Sequence, residues 1–194
     1  MHARELSETG SSLTQDLPLT RAAFEFAAER HAGQLLAGEH TPFVQHPFEV
    51  ASLLSGAGYP DEVVASGVLH DVLESTDTPA VELEYRFGAR VASLVETVSE
   101  DDAIEDRQER KSALREQVAR GPLEAAAIFA AYKLSRVREL RAPDGPDVPR
   151  DEAARKLDHY GASLAMLQWR LGRRHPLVEQ LRVELDQLEA LFAE

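Results

Sequence analysis

Apolar residues recur at helical spacing along almost the whole chain, and segments with the two-residue alternation of a strand are absent. The first 17 or so residues are polar and contain Gly10-Ser11-Ser12, which predicts a mobile tail. Periodicity begins at Thr20, a residue able to cap a helix, and TRAAFEFAAERHAGQLL predicts a first helix over 20–36. AGEHTPFVQ interrupts it. Pro47, in a first-turn position, then opens the short helix PFEVASLLSGAG, closed by Gly56 and Gly58. From Pro60, PDEVVASGVLHDVLEST is apolar around most of its circumference, the pattern of one continuous helix buried in the middle of a bundle. Thr78 and Pro79 read as the cap and first turn of PAVELEYRF, and FGARVASLVETVS predicts another helix behind it.

The acidic stretch SEDDAIED is the least regular part of the interior. DRQERKSALREQVARG follows as a strongly charged helix closed by Gly121, and Pro122 opens PLEAAAIFAAYKLSRVRELRA, whose alanine-rich first half predicts close helix contacts. PDGPDVP is the clearest linker. Beyond it lie two amphipathic helices, one over about 150–171 ending near Gly172, the other starting at Pro176 and running LVEQLRVELDQLEALF. The pattern predicts an all-α bundle: a tail over 1–17, a helical body over 18–142, and a C-terminal appendage over 143–194. The appendage is expected to pack on the same domain or to form a homodimer contact.

Composition narrows the chemistry. With no cysteine in the chain, disulfides and thiol nucleophiles are excluded, and any metal site falls to His, Asp and Glu. The formal charge of -13 argues against nucleic acid or an anionic membrane as partner, since both require clustered Lys and Arg. No run of about eighteen apolar residues occurs, and MHARELSETGSSLTQD lacks the apolar stretch of a signal peptide, so a cytoplasmic location is expected. A small polyanion remains compatible with this charge if a bound divalent cation dominates the local field.

The run GVLHDVLESTD places His70, Asp71 and Glu74 inside an apolar segment. Burying such groups unpaired costs on the order of several kcal/mol, so they need mutual partners or a cation. Neighbouring side chains on a helix point about 100° apart, so His70 and Asp71 converge only on something beside the helix. An imidazole with a carboxylate suits Mn²⁺, Fe²⁺ or Mg²⁺. The plain alternative is an exposed polar pair at a helix end.

Six segments, FAAERHAGQ, FVQHPFEVA, GVLHDVLEST, FGARVASLVETVSE, ERKSALREQ and AAYKLSRVREL, resemble in order and spacing the HD-superfamily hydrolases related to the RelA/SpoT alarmone enzymes. The resemblance spans about residues 20–141. It implies an HD-domain helical bundle with two additional C-terminal helices, and Mn²⁺-dependent removal of the 3′ pyrophosphate of guanosine 3′,5′-bispyrophosphate. It further implies that His46, His70 and Asp71 ligate the metal, and that Glu74 and Ser75 stand at the acidic pair that positions or activates the attacking water. His31, Arg110, Lys111, Tyr132, Lys133 and Arg136 would line the nucleotide site. For His31 a packed core histidine is the equal alternative, and for the basic residues a solvated helix face with i, i+4 pairs.

The chain departs from that pattern at several positions. Ser75 replaces the second acid of the pair and offers only a hydroxyl. Where the family motif resembles ADKLSNLR, this chain has AYKLSRVR, so Tyr132 stands at the last ligand aspartate and Arg136 at the asparagine. Leu35 and Leu36 follow GQ where basic residues are expected. Asp101 or Asp102 offers a substitute carboxylate. Two functions follow: a hydrolase with weakened metal binding, or a degenerate HD protein that binds a nucleotide or a protein partner without turnover.

Overall fold

The computed structural model describes residues 16–32, 45–142 and 148–193, and every regular element among them is helical. Most of the predicted tail, most of the linker PDGPDVP, and Leu35 and Leu36 lie outside the described residues. The elements are α1 (Pro18–Arg30), α2 (Gln45–Gly56), α3 (Asp61–Val68), α4 (Val72–Ser75) and α5 (Ala80–Phe87). They continue with α6 (Ala89–Val98), α7 (Arg107–Arg120), α8 (Leu123–Arg141), α9 (Arg150–Leu171) and α10 (Pro176–Ala193). Among the described residues no helix is long and apolar enough to cross a membrane.

The bundle is organised around α8. From Ala125 to Ser135 every residue of this helix is buried, and α2, α3, α6, α7, α9 and α10 all pack against it. Five alanines between Ala125 and Ala131 leave little bulk around the axis, which lets these neighbours approach closely. Leu177, Val178, Leu181 and Leu188 of α10 join the same core as Phe129 and Leu134 of α8. The pair is further tied by Arg138 Nε to Glu184 Oε1 at 3.1 Å and by an Arg141–Glu184 ion pair.

Three local expectations are corrected. Helix α1 begins at Pro18 and ends at Arg30, and Thr20 does not cap it. The cap comes from another helix: Asp61 accepts the backbone N–H groups of Leu19 at 2.9 Å and Thr20 at 2.8 Å, while the buried Thr20 hydroxyl donates to the same carboxylate at 2.6 Å. A partner 41 residues away leaves no local signature. Thr78 likewise is buried and bonded to Thr76 rather than capping α5, whose N-cap is Pro79.

The third correction bears directly on the site. The expected continuous helix after Pro60 breaks at Leu69 to Asp71, between α3 and α4. Nδ1–H of His70 donates to Gly67 O at 2.8 Å, the carbonyl that an unbroken helix would offer to the N–H of Asp71. The side chain thus competes with the backbone, and the chain turns there. Gly67 is where α3 meets α2: a Cβ would fall 2.4 Å from Leu54 Cδ1 and 3.2 Å from Val50 Cγ1, so any larger residue would force the buried Leu54 side chain to move.

Replacing Asp61 with alanine removes the cap of α1 and leaves a buried Thr20 hydroxyl without its partner. A loss of about 2 kcal/mol is expected, read as a lower Tm and a lower urea midpoint by circular dichroism, with the m value unchanged.

Candidate functional site

The turn between α3 and α4, the start of α2 and the inner face of α8 together bring His46, His70 and Asp71 into one cluster. One ligand atom from each lies within 4.8 Å of the others. His46 is 1% exposed and His70 2%, so their ring nitrogens must be satisfied by protein or by a bound ion.

The hydrogen bonds assign the protons. His70 Nδ1 faces a carbonyl, which can only accept, so that nitrogen carries the hydrogen, and in the neutral imidazole Nε2 is bare. His46 Nδ1 lies 2.9 Å from Ser135 Oγ and 2.9 Å from Glu139 Oε1. The Ser135 hydroxyl gives its own proton to Glu49 at 2.7 Å, so both neighbours of His46 Nδ1 accept and its Nε2 is bare as well. The two bare Nε2 atoms face each other at 3.2 Å, and Asp71 Oδ1 lies 3.1 Å from that of His70. Two lone pairs and a carboxylate oxygen converging in a buried place form a donor set that fits a divalent cation.

Burial and neighbouring charges shift the protonation of His46, Asp71 and Glu139. Burial pushes the His46 imidazolium down and outweighs the opposing pull of Glu139. Burial alone would raise the Asp71 carboxyl, but His70 and His46, whenever either ring is protonated, and Arg136 beside it hold it well below the usual carboxylate range. Glu139 behaves similarly, its burial overcome by the bond to His46 and by Arg136. Ser135, Glu139 and Glu49 were not anticipated as site residues. Ser135 and Glu139 fall one turn apart on α8, on the stripe that also carries Tyr132 and Arg136, and that spacing was the available signal.

The residues at the departed positions have found other partners. Tyr132 is buried, its ring stacked on His70 with centroids 5.1 Å apart at 19° and edge-on to Phe129 at 5.1 Å. Burial and the charges of Glu74, Asp71 and Glu100 raise its phenol well above the ordinary value, so it sits there as a neutral ring. The Arg136 guanidinium spans Asp71 Oδ2 at 3.3 Å and Glu139 Oε2 at 2.9 Å. It is therefore spent on the cluster's own carboxylates.

Glu74 is exposed over much of its length, yet its carboxyl end is crowded: burial, Asp71 and Glu100 raise it despite the N–H of Glu100 donating to it at 2.8 Å. Ser75 beside it is exposed. Glu100 in turn receives Arg110 at 2.8 Å and an ion pair from Lys111, so these two cations are anchored to the acidic loop next to Glu74. Asp101 and Asp102 do not replace the missing ligand. Both are exposed, and Asp101 caps its own loop by accepting from Ala103 N at 3.0 Å. Lys133 is buried against Tyr132, and His31 is buried at the C-terminal end of α1.

Comparison with known proteins places this geometry in context. The family profile described as HD domain matches residues 23–165. The guanosine-3′,5′-bis(diphosphate) 3′-pyrophosphohydrolase MESH1 of Homo sapiens is 39% identical over 128 residues, covering 63% of this chain and 71% of that protein. Its counterpart in Xenopus tropicalis is 34% identical over 138 residues, covering 69% of this chain and 76% of that protein. Among solved structures, a metazoan ortholog of SpoT that hydrolyzes ppGpp shares the fold with a TM-score of 0.75 at 24% identity, over 89% of this chain and 94% of that one.

Because Arg136 brings a positive charge onto the oxygen of Asp71, it opposes any second cation there. Arg136→Asn is expected to tighten Mn²⁺ binding about tenfold, measured by isothermal titration calorimetry. Unchanged affinity would mean that the guanidinium swings away at no cost when the metal arrives.

Proposed function

Because the chain belongs to the HD-domain family, we propose that it is a metal-dependent phosphohydrolase acting on a small nucleotide of the guanosine 3′,5′-bis(diphosphate) type. The observation that carries this reading is the pair of bare imidazole nitrogens 3.2 Å apart beside Asp71. His46, His70 and Asp71 hold the cation, and Mn²⁺ suits their mixed nitrogen and oxygen donors. When bound, that cation supplies Lewis acidity toward a phosphoryl oxygen and toward the attacking water.

The chain's own groups do the rest. The crowded Glu74 carboxylate takes the proton of the attacking water; the water oxygen bonds to phosphorus, and the bond from phosphorus to the 3′ oxygen breaks, that oxygen leaving with a proton from solvent. Ser75 contributes a hydroxyl to the orientation of that water. Arg110 and Lys111, held by Glu100 next to Glu74, meet the charge of the departing pyrophosphate. His31 and Lys133 complete the polar wall, and the Tyr132 ring, stacked on His70, forms the apolar floor of the nucleotide site.

Pyrophosphate release from guanosine 3′,5′-bis(diphosphate) with Mn²⁺ tests this on the wild type, Glu74→Gln, His70→Ala and Tyr132→Asp. The wild type is expected to turn over, Glu74→Gln to lose about 10²-fold to 10⁴-fold in kcat, and His70→Ala to lose both activity and the Mn²⁺-dependent rise in Tm. At a metal concentration 100 times Kd that rise corresponds to about 2.7 kcal/mol, reversed by chelator. Turnover confined to Tyr132→Asp would sink the hydrolase reading and leave a binding protein with an intact pocket.

A further inference from the structure

A second polar cluster adjoins the first and takes no part in breaking the phosphorus–oxygen bond. Lys133 is 3% exposed, with its ammonium nitrogen 4.8 Å from the Phe129 ring, 4.6 Å from that of Tyr132 and 5.8 Å from that of Tyr160. Its hydrogen-bond contact is His159 Nε2 at 2.8 Å. Arg115 Nη1 approaches the other nitrogen of the same ring, Nδ1, at 3.0 Å. Two basic side chains therefore share one imidazole across α7, α8 and α9, and burial, with Lys111 next, pushes the Lys133 ammonium well below its ordinary range, so no nearby group offsets the cost of its charge. A neutral imidazole has a single bare nitrogen and can accept from one of them only; protonated, it accepts from neither.

Among the described residues no carboxylate forms an ion pair with Lys133 or Arg115. Glu100, whose charge reaches Lys133, is already paired with Arg110 and Lys111, and the pull of Glu74 on Lys133 comes from a carboxyl bonded to Glu100 N. The surroundings of His159 are strongly positive: burial, then Lys133, Lys111, Arg115 and Arg107, push its imidazolium down to about 2. An acceptor with more than one lone pair and a negative charge is what this cluster lacks. The half-exposed His159 and Arg115 leave it open to solvent on one side.

We propose that Lys133, Arg115 and His159 bind a phosphoryl group, and that they hold the uncleaved phosphorylated arm of a ligand whose other arm reaches His46, His70 and Asp71. In the free protein the imidazole stands in for that anion as a poor acceptor; with the anion present, Lys133, Arg115 and the imidazole N–H all donate to its oxygens. Tyr132 links the two places, with His70 at 5.1 Å and Lys133 at 4.6 Å from its ring, so a single nucleotide spans both. The assignment to an uncleaved arm rests on the phosphohydrolase reading of the first cluster, whereas the anion site does not.

The test is calorimetric titration of inorganic pyrophosphate, in chelator and without metal, into the wild type, Arg115→Gln, His159→Glu and Asp71→Asn. Pyrophosphate is expected to bind the wild type and Asp71→Asn alike, and Arg115→Gln at least about tenfold more weakly, the loss of one charge-assisted hydrogen bond. His159→Glu supplies the missing carboxylate internally, so it should raise Tm and abolish binding. Equal affinity of the wild type and Arg115→Gln overturns the proposal, as does no binding to a wild type shown to be folded by circular dichroism. Binding strengthened by Asp71→Asn, which removes a carboxylate and frees Arg136, by as much as Arg115→Gln weakens it assigns the anion to the first cluster and overturns the proposal too. With no metal and no turnover in the experiment, absent hydrolysis and absent anion binding remain separate results.

Discussion

Two imidazole nitrogens with their lone pairs aimed at each other across 3.2 Å form the constraint around which the site is built. Left alone they repel, and neither can turn away, because each ring is pinned through its other nitrogen. Gly67 O holds His70, while Glu139 and Ser135 hold His46, with Glu49 behind Ser135. Four elements must be in register for this to occur: α2 for His46, the end of α3 for Gly67, the turn for His70 and Asp71, and α8 for Ser135 and Glu139. Each second contact fixes a tautomer as well as an orientation, so the arrangement is prepared to ligate before any ion is bound.

The same constraint accounts for the division of labour along α8. Its first half is alanine-rich and buried on all sides, which positions the helix by close packing. Its second half adds Tyr132, Lys133 and Ser135, which are buried, and Arg136 and Glu139, which are partly buried, so polar chemistry is carried on a helix that the core already holds in place. Burying these groups is tolerable only because nearly all are paired: Ser135 with His46 and Glu49, Arg136 with Asp71 and Glu139. Lys133 and Arg115 meet on His159 instead, and that shared imidazole is the exception that marks a second place of interest.

Much of this fold could be read from the chain because its punctuation is local. Gly121 and Pro122 separate α7 from α8, and Gly172, with φ of 88°, ends α9 where the helical spacing ends. That His46, His70 and Asp71 come together was legible through motif order. What could not be read depends on contacts distant in sequence. The cap of α1 comes from Asp61, and the break before α4 arises from a side chain taking a backbone carbonyl, against a hydrophobic pattern that runs through the turn without interruption. Arg136 read as a phosphate contact because arginine suits phosphate; its place in the fold gives it two carboxylates first. The place of His159 could not be read at all, because nothing in its own segment names Lys133, 26 residues earlier, or Arg115, 44 residues earlier.

The two substitutions on α8 make most sense taken together as a movement of charge. Relative to the ADKLSNLR pattern, tyrosine for aspartate removes one negative charge from the pocket, and arginine for asparagine adds one positive charge. The pocket is thereby more positive by two elementary charges while the three donors that face one another are kept. A divalent cation in such a place is held less tightly, since one carboxylate is missing and a guanidinium opposes it across Asp71. A polyanionic ligand gains from the same change, meeting less repulsion from the acidic residues of a chain that carries a net charge of -13. On the proposed function, the balance would shift from gripping the ion toward neutralising the ligand, with His46, His70 and Asp71 left to hold a divalent cation without a carboxylate as fourth protein ligand.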